Sequence, residues 1–196
     1  LSKDKNYIMK ADMMILDLLA HNDWKRPVYF AITVGGEGYL GLEDYFQLEG
    51  LAYRLVPVKS KSTDGQIGHV ATNLMYDKLM NKFKWGGMNN PKIYLDENNL
   101  RMTMNFRNNF ARLAGALLEE GKKDSAVKVL DRCLEIMPHQ TVPYNIFMLR
   151  IAEMYYRVGA NEKGNTVTKR LADVYEDDLN YYFSLKGKQA KSVERD

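Results

Sequence analysis

The C-terminal half of the sequence carries an internal repeat whose copies are offset by 38 residues, the separation of Gly121 from Gly159. Each copy has apolar residues at helical spacing, a glycine-containing turn and a second helical stretch, which predicts a pair of helical hairpins. The other matched pairs are Leu113 with Ile151, Ala114 with Ala152, Leu117 with Tyr155, Ala126 with Gly164, Cys133 with Leu171 and Leu134 with Ala172. We expect only helices from Met104 onward, with close helix crossings at the small residues.

The first copy resembles the tetratricopeptide repeat. The positions that carry the resemblance are Phe110, Leu113, Ala114, Leu117, Gly121, Ala126, Leu130, Cys133 and Pro138. Phe110 stands where the signature Trp is usual, Ala114 replaces a Gly, and the second copy has Thr168 at an expected aromatic or Leu position. Two repeats are fewer than the roughly three that a free-standing array needs, so we expect the N-terminal half to cap and support them.

The N-terminal half alternates helical and strand-like patterns, which predicts an α/β unit over residues 1–99, packed on helical hairpins over residues 100–196. The expected fold class is therefore α+β. A strand, a short helix and a second strand in succession predict a βαβ unit with parallel strands and a right-handed crossover. The predicted elements are a helix over Tyr7–His21, strands over Val28–Val34 and Ala52–Val58 around a short helix over Leu42–Leu48, a helix over Val70–Phe83 and a short strand over Ile93–Leu95.

Composition restricts the function classes. Hydrophobic residues make up 45% of the chain and charged residues 27%, which is typical of a folded protein. The 28 Lys and Arg residues are interspersed with 25 Asp and Glu residues, so no strong field for nucleic acid is expected. The single cysteine, Cys133, excludes an internal disulfide and a thiolate metal cage. The three histidines lie in separate segments, so we expect no metal site.

A glycine-rich segment, Gly35–Gly41, contains Gly36, Gly38 and Gly41 in the G-x-G-x-x-G pattern of dinucleotide-binding turns. Such a site needs backbone amides at a helix N-terminus to face the pyrophosphate. Acidic residues in and after the segment place negative charge where phosphate would lie, and the predicted helix has only about two turns. A plain glycine-rich turn is the favoured interpretation, and no cofactor is expected.

The segment Trp24–Pro27 places two cations beside an indole immediately before the first predicted strand. In a functional interpretation, Arg26 would hold a phosphate or carboxylate and Trp24 would stack on a sugar or peptide. In the structural interpretation, which we favour, Trp24 closes the end of the sheet and Arg26 pairs with an acid such as Glu49. The alternative function is thus a ligand-binding or catalytic domain that recognises a nucleotide, sugar or phosphate through this segment and Gly35–Gly41.

Four segments together resemble a known family: Ile15–Asp17, Asn22–Ala31, Leu48–Pro57 and Lys84–Gly87. With the helical hairpins behind them, they are similar to the soluble C-terminal region of large multi-pass membrane proteins that resemble protein O-mannosyltransferases. The resemblance covers essentially the whole chain.

The resemblance implies that glycosyl transfer belongs to a membrane-embedded part outside this sequence, and it supplies no catalytic residue here. It implies a non-catalytic domain on the extracytoplasmic side of a membrane, which in a bacterium is the periplasm. The expected partner is a protein or peptide, including the membrane-embedded part of the same protein, or a glycan. We expect Arg112, Arg150 and Tyr156 on a concave face of the hairpins as the binding surface. The candidate binding residues are Trp24, Arg26, Arg54, Trp85, Arg112, Arg150 and Tyr156.

Overall fold

The computed structural model describes residues 7–193 and confirms the α+β fold class. Within these residues, helices dominate and the strands are short. The helices are α1 (Lys10–Asn22), α2 (Thr72–Asp77), α3 (Glu97–Glu119), α4 (Lys123–Ile136), α5 (Met148–Val158), α6 (Asn161–Ser184) and α7 (Lys188–Val193). The strands are β1 (Tyr29–Ala31), β2 (Phe46–Leu48), β3 (Ala52–Leu55) and β4 (His69–Val70).

The chain forms two compact units. The first comprises the chain up to residue 85 together with residues 112–129, and the second comprises residues 86–111 and the chain from residue 130 onward. The expected boundary near residue 99 falls inside α3, which begins at Glu97 because the Asp96 carboxylate accepts a hydrogen bond from the Asn99 amide at 2.8 Å. The strand expected over Ile93–Leu95 does not form.

The sheet has the order β1-β3-β2-β4, and the predicted parallel βαβ unit is wrong. β1 and β2 each pair antiparallel with β3, whereas β2 and β4 are parallel. The segment expected to be the crossover helix supplies β2 instead, and a tight connection joins β2 to β3: the Glu49 amide donates to the carbonyl of Ala52 at 3.1 Å and Gly50 has a φ of +103°. So short a connection joins antiparallel strands, since a parallel crossover needs a dozen residues or more.

The prediction of a helix over Leu42–Leu48 is also wrong. A single 3-10 turn at Glu43–Tyr45 leads directly into β2, where Phe46 and Leu48 are fully buried and Gln47 between them is not. This two-residue period suits a strand that packs one face on a core. The first strand ends at Ala31 rather than residue 34, and it lies at the sheet edge with only Phe30 buried.

Aromatic rings form the core of the first unit on one face of the sheet. The rings of Phe46 and Tyr53 stack with centroids 5.5 Å apart, and Tyr39 meets Phe46 edge-to-face at 5.1 Å. Phe30 lies 4.9 Å from Phe46. Because strand side chains alternate between faces, the opposite face presents the polar residues of the same strands.

The helical half agrees with the repeat in the placement of its small residues. Ala114 and Ala126 are fully buried in the first unit. In the second unit α5 packs against α6, and a Cβ built on the buried Gly164 would lie 2.9 Å from the ring of Tyr156. The turn glycines, Gly121 and Gly159, both have positive φ, as the repeat pattern requires at a helix end.

Candidate interaction surface

The first helix leaves most of its apolar side chains in solvent. Met13 and Met14 are 62% and 64% exposed, and Leu16 and Leu18 are about half exposed. Among the described residues of α1, Asp12 is the one that is buried. Its carboxylate accepts a hydrogen bond from the Met9 amide at 2.8 Å. The helix is thus stabilised at its N-terminus by a local bond, while no element within residues 7–193 covers its exposed apolar side chains. Contiguous exposed apolar residues of this kind mark interaction sites.

The segment after α1 is a left-handed turn that exposes the indole of Trp24. Asp23 and Trp24 have φ values of +47° and +56°, and the side chain of Asn22 donates to the carbonyl of Arg26 at 2.8 Å. Trp24 is 56% exposed, so it does not close the sheet, and the favoured structural interpretation of this segment is wrong. Arg26 is exposed and does not pair with Glu49. We call the exposed apolar side chains of α1 and the indole that follows the helix the α1 surface, defined by Met13, Met14, Leu16, Leu18 and Trp24.

Glu49 has other partners on the polar face of the sheet. Its carboxylate accepts hydrogen bonds from Lys78 at 2.8 Å, Tyr29 at 3.1 Å and Gln47 at 3.2 Å, and Arg54 lies at 3.4 Å. The side chain of Glu49 is only 2% exposed. Burial by itself would raise the pKa of this carboxyl group, but the hydrogen bond and charge of Lys78, the bond from Tyr29 and the charge of Arg54 hold the pKa below its usual value.

Glu49 and its partners Lys78, Tyr29, Gln47 and Arg54 form a group that we call the Glu49 cluster. Arg54 thus has a structural partner, which the sequence analysis did not predict. Register places Tyr29 opposite Arg54 and Arg54 opposite Gln47, and Glu49 follows two residues after Gln47 on the same face. The antiparallel pairing of β3 with both neighbours is what brings these polar residues together. The sequence signal that could have revealed the cluster is the alternation of residues that face opposite sides of the sheet along Tyr29–Ala31, Phe46–Leu48 and Ala52–Leu55. With every polar group of the cluster engaged, its geometry is that of a structural ion cluster.

Arg112 lies in a second buried ion pair. Its Nε donates to Asp64 Oδ2 at 2.6 Å, and its terminal nitrogens donate to the carbonyls of Gly68 at 2.6 Å and Ile67 at 2.9 Å. The side chain of Arg112 is 1% exposed. The expectation that Arg112 projects from an exposed concave face is therefore wrong, because its donors are used to hold the loop before β4.

Arg150 and Tyr156 both lie on α5, and both retain exposed surface. The Tyr156 hydroxyl lies 2.8 Å from Asn165 Oδ1 and 3.2 Å from Thr168 Oγ1, both on α6. Tyr156 therefore helps to pack α5 on α6 in the second hairpin, and part of its side chain is exposed to solvent. Trp85 is half-buried and meets Phe83 edge-to-face at 5.9 Å, which gives it a packing role.

The glycine-rich segment does not have the geometry of a phosphate site. Gly36–Tyr39 forms a single 3-10 turn, and the next turn, at Glu43–Tyr45, is also 3-10, so neither offers the helix N-terminus that a dinucleotide site requires. Gly41 has a φ of +74°, and Tyr39 turns into the aromatic core. A Cβ on Gly38 would meet Val34 at 2.6 Å, which explains glycine there by packing.

The single cysteine and the potential metal ligands are the remaining candidates for site chemistry. Burial raises the pKa of the Cys133 thiol to about 12, so the thiol is a core group. Across residues 7–193, His, Cys, Asp and Glu side chains do not gather into a group that could hold a metal ion.

Comparison with known families relates the N-terminal segment to a described domain. Residues 1–74 match the family model of TMEM260-associated domain 2. The matched segment includes α1, the whole four-stranded sheet and the beginning of α2. No curated protein and no solved structure matches the chain. None of the helices in the described residues combines the length and apolar character that a bilayer crossing demands.

Proposed function

We propose that this chain is a non-catalytic accessory domain of a membrane protein of the TMEM260 kind and that it docks onto its partner through the α1 surface. The observation that carries the proposal is the exposure of Met13 and Met14, at 62% and 64%, inside the segment that matches TMEM260-associated domain 2. The occupant to which we commit is the membrane-embedded part of the same protein, since the matched family model names a domain associated with a membrane protein and an exposed apolar patch on such a domain marks a contact site.

The finer parts of the proposal follow from the resemblances in the sequence. The membrane-embedded part is assigned a glycosyl-transfer activity like that of protein O-mannosyltransferases, and the chain lies on the extracytoplasmic side, in a bacterium the periplasm. The helical hairpins are assigned a tetratricopeptide-like scaffold role, with Arg150 and Tyr156 open to a peptide or glycan. The buried small residues at both hairpins support that scaffold role.

A binding measurement tests the docking. The membrane-embedded part, reconstituted in nanodiscs, is titrated with the purified chain and with a Met13→Glu, Met14→Glu double variant. Glutamate is a good helix former, so α1 keeps its structure while the apolar contact is lost. We expect binding at least about tenfold weaker, which corresponds to roughly 1.4 kcal/mol. Circular dichroism and thermal unfolding like those of the parent chain show that the variant is folded.

Leu149→Glu is the matched control, because Leu149 is also a half-exposed apolar residue of a helix but lies on α5. We expect it to bind like the parent chain. Equal affinity of the α1 double variant and the parent would overturn docking through α1. Loss of glycosyl transfer on deletion of the chain, at equal abundance of the membrane-embedded part and with no effect of the α1 variant, would assign the chain a role other than docking at this surface.

A further inference from the structure

The apolar face of α6 extends beyond the part of the helix that α5 covers. Gly164, Val167 and Leu171 are buried, and α5 packs on this part of α6. The same face continues at helical spacing in the α6 stripe, which we define as Tyr175, Leu179, Tyr182 and Phe183. These side chains are 37%, 53%, 51% and 84% exposed.

Length explains why the stripe is uncovered. α6 has 24 residues and α5 has 11. At about 1.5 Å per residue, α6 exceeds α5 by roughly 20 Å, more than three helical turns. Stacked hairpins bury such a face against a following element. Among the described residues, the element that follows is α7, whose six residues are too few to cover three turns.

Charges around the stripe are arranged with opposite signs at its two ends. Glu176, Asp177 and Asp178 lie among its first members, and Lys186, Lys188 and Lys191 follow its last member. All six are exposed, and within residues 7–193 none of them forms an ion pair with another side chain. Asp177, two residues after Tyr175, lies on the opposite side of α6, whereas Glu176 and Asp178 flank the stripe. Carboxylates beside its first members and ammonium groups beyond its last member, on Lys186 and on α7, make the stripe electrostatically self-complementary when one copy is reversed.

We propose that two copies of this chain associate through antiparallel pairing of their α6 stripes. In an antiparallel two-fold arrangement a residue before the axis in one copy meets a residue after the axis in the other, and the reverse contact forms as well, so the acidic end of one stripe lies beside the lysine end of the other. Leu179 of each copy then lies near Phe183 of its partner copy. Parallel pairing would place like charges side by side.

Sedimentation equilibrium over a concentration series tests the pairing in the full 196-residue chain. We expect a reversible rise towards twice the monomer mass, at least tenfold weaker in Leu179→Glu. The Met13→Glu, Met14→Glu variant serves as a matched control that keeps the α6 stripe. Its self-association is expected to equal that of the parent, so failure of docking through α1 and failure of pairing through α6 are distinguishable.

Charge reversal tests the antiparallel direction. One triple variant carries Glu176→Lys, Asp177→Lys and Asp178→Lys, and the other carries Lys186→Glu, Lys188→Glu and Lys191→Glu. Each variant alone is expected to remain monomeric at concentrations where the parent pairs, and an equimolar mixture is expected to restore the pair. A parent chain that stays monomeric throughout, pairing that survives Leu179→Glu, or a mixture that stays monomeric overturns the proposal. Binding of the parent to phosphatidylcholine–phosphatidylserine vesicles that is lost in Leu179→Glu also overturns it, in favour of a membrane surface.

Discussion

The guanidinium Nε of Arg112 lies 2.6 Å from Oδ2 of Asp64, a residue 48 positions earlier in the chain. The same guanidinium donates to the carbonyls of Ile67 and Gly68, so one side chain of α3 closes the loop that leads into β4. Because Arg112 is buried and Asp64 is partly exposed, removal of either partner has unequal consequences. The pair is a strong determinant of the stability of the first unit.

Replacement of Arg112 by Met is expected to lower the free energy of unfolding by about 3 kcal/mol. The substitution leaves two loop carbonyls without their donor and a carboxylate without its counter-charge. Urea denaturation monitored by circular dichroism measures the change. Arg101→Met is the matched control: its pair with Glu97 is exposed, and we expect a loss below about 1 kcal/mol. Equal losses in the two variants would contradict the role given to Arg112.

The Glu49 cluster predicts a pH-dependent stability. The pKa of Glu49 is lowered in the folded protein, so its contribution is fully present above the unfolded pKa and is lost as the pH falls through the folded value. We expect Glu49→Gln to lower the free energy of unfolding by about 1–3 kcal/mol at neutral pH.

The difference between Glu49→Gln and the parent should shrink as the pH falls below about 4, the ordinary range of a glutamate. The midpoints of urea unfolding, measured at neutral pH and at a pH below about 4, test this. Glu119→Gln, at an exposed position of α3, controls for the loss of a surface charge. A difference that stays constant across the pH range would show that the carboxylate charge does not contribute.

Gly50 is expected to be intolerant of any side chain. Its φ of +103° is unfavourable for other residues, and a Cβ would lie 2.9 Å from the ring of Phe83. We expect Gly50→Ala to cost about 2–3 kcal/mol of unfolding free energy. Gly35→Ala provides the control, since its Cβ meets no atom within 4 Å and its φ of −69° suits alanine. A neutral Gly50→Ala would show that the β2–β3 connection rearranges freely.

The second hairpin depends on the approach of Tyr156 to Gly164. A Cβ at residue 164 would lie 2.9 Å from the Tyr156 ring, which is held by contacts with Asn165 and Thr168. Gly164→Val is expected to destabilise the protein by about 1–3 kcal/mol, because β-branched overpacking forces the helices apart. In a Tyr156→Ala background the same substitution should cost less, as a double-mutant cycle in thermal unfolding would measure. If the free-energy changes of Gly164→Val and Tyr156→Ala are additive, contact with the Tyr156 ring is not what restricts residue 164.

Local patterns were sufficient for the helical half and insufficient for the sheet. A 3.6-residue period depends on neighbours along the chain, so the hairpins and their buried alanines could be inferred from Leu113, Ala114 and their repeats. The pairing of β2 with β3 depends on a turn at Gly50, and the sequence alone does not distinguish that turn from a crossover. The same limitation hid the Glu49 cluster, whose members come from three strands and the π-helical turn at Lys78–Lys82.

The sequence by itself determined the α+β class, the helical hairpins with their small contact residues, and the burial of Cys133, because each follows from periodicity and residue size. Only the tertiary structure decided which charges are partners and which apolar faces lack one. Arg112 is buried against Asp64 while Arg26 is exposed, and α1 and the end of α6 present apolar side chains to solvent. The physical reason is that pairing and burial depend on which distant segments meet, and chain spacing carries no information about that meeting.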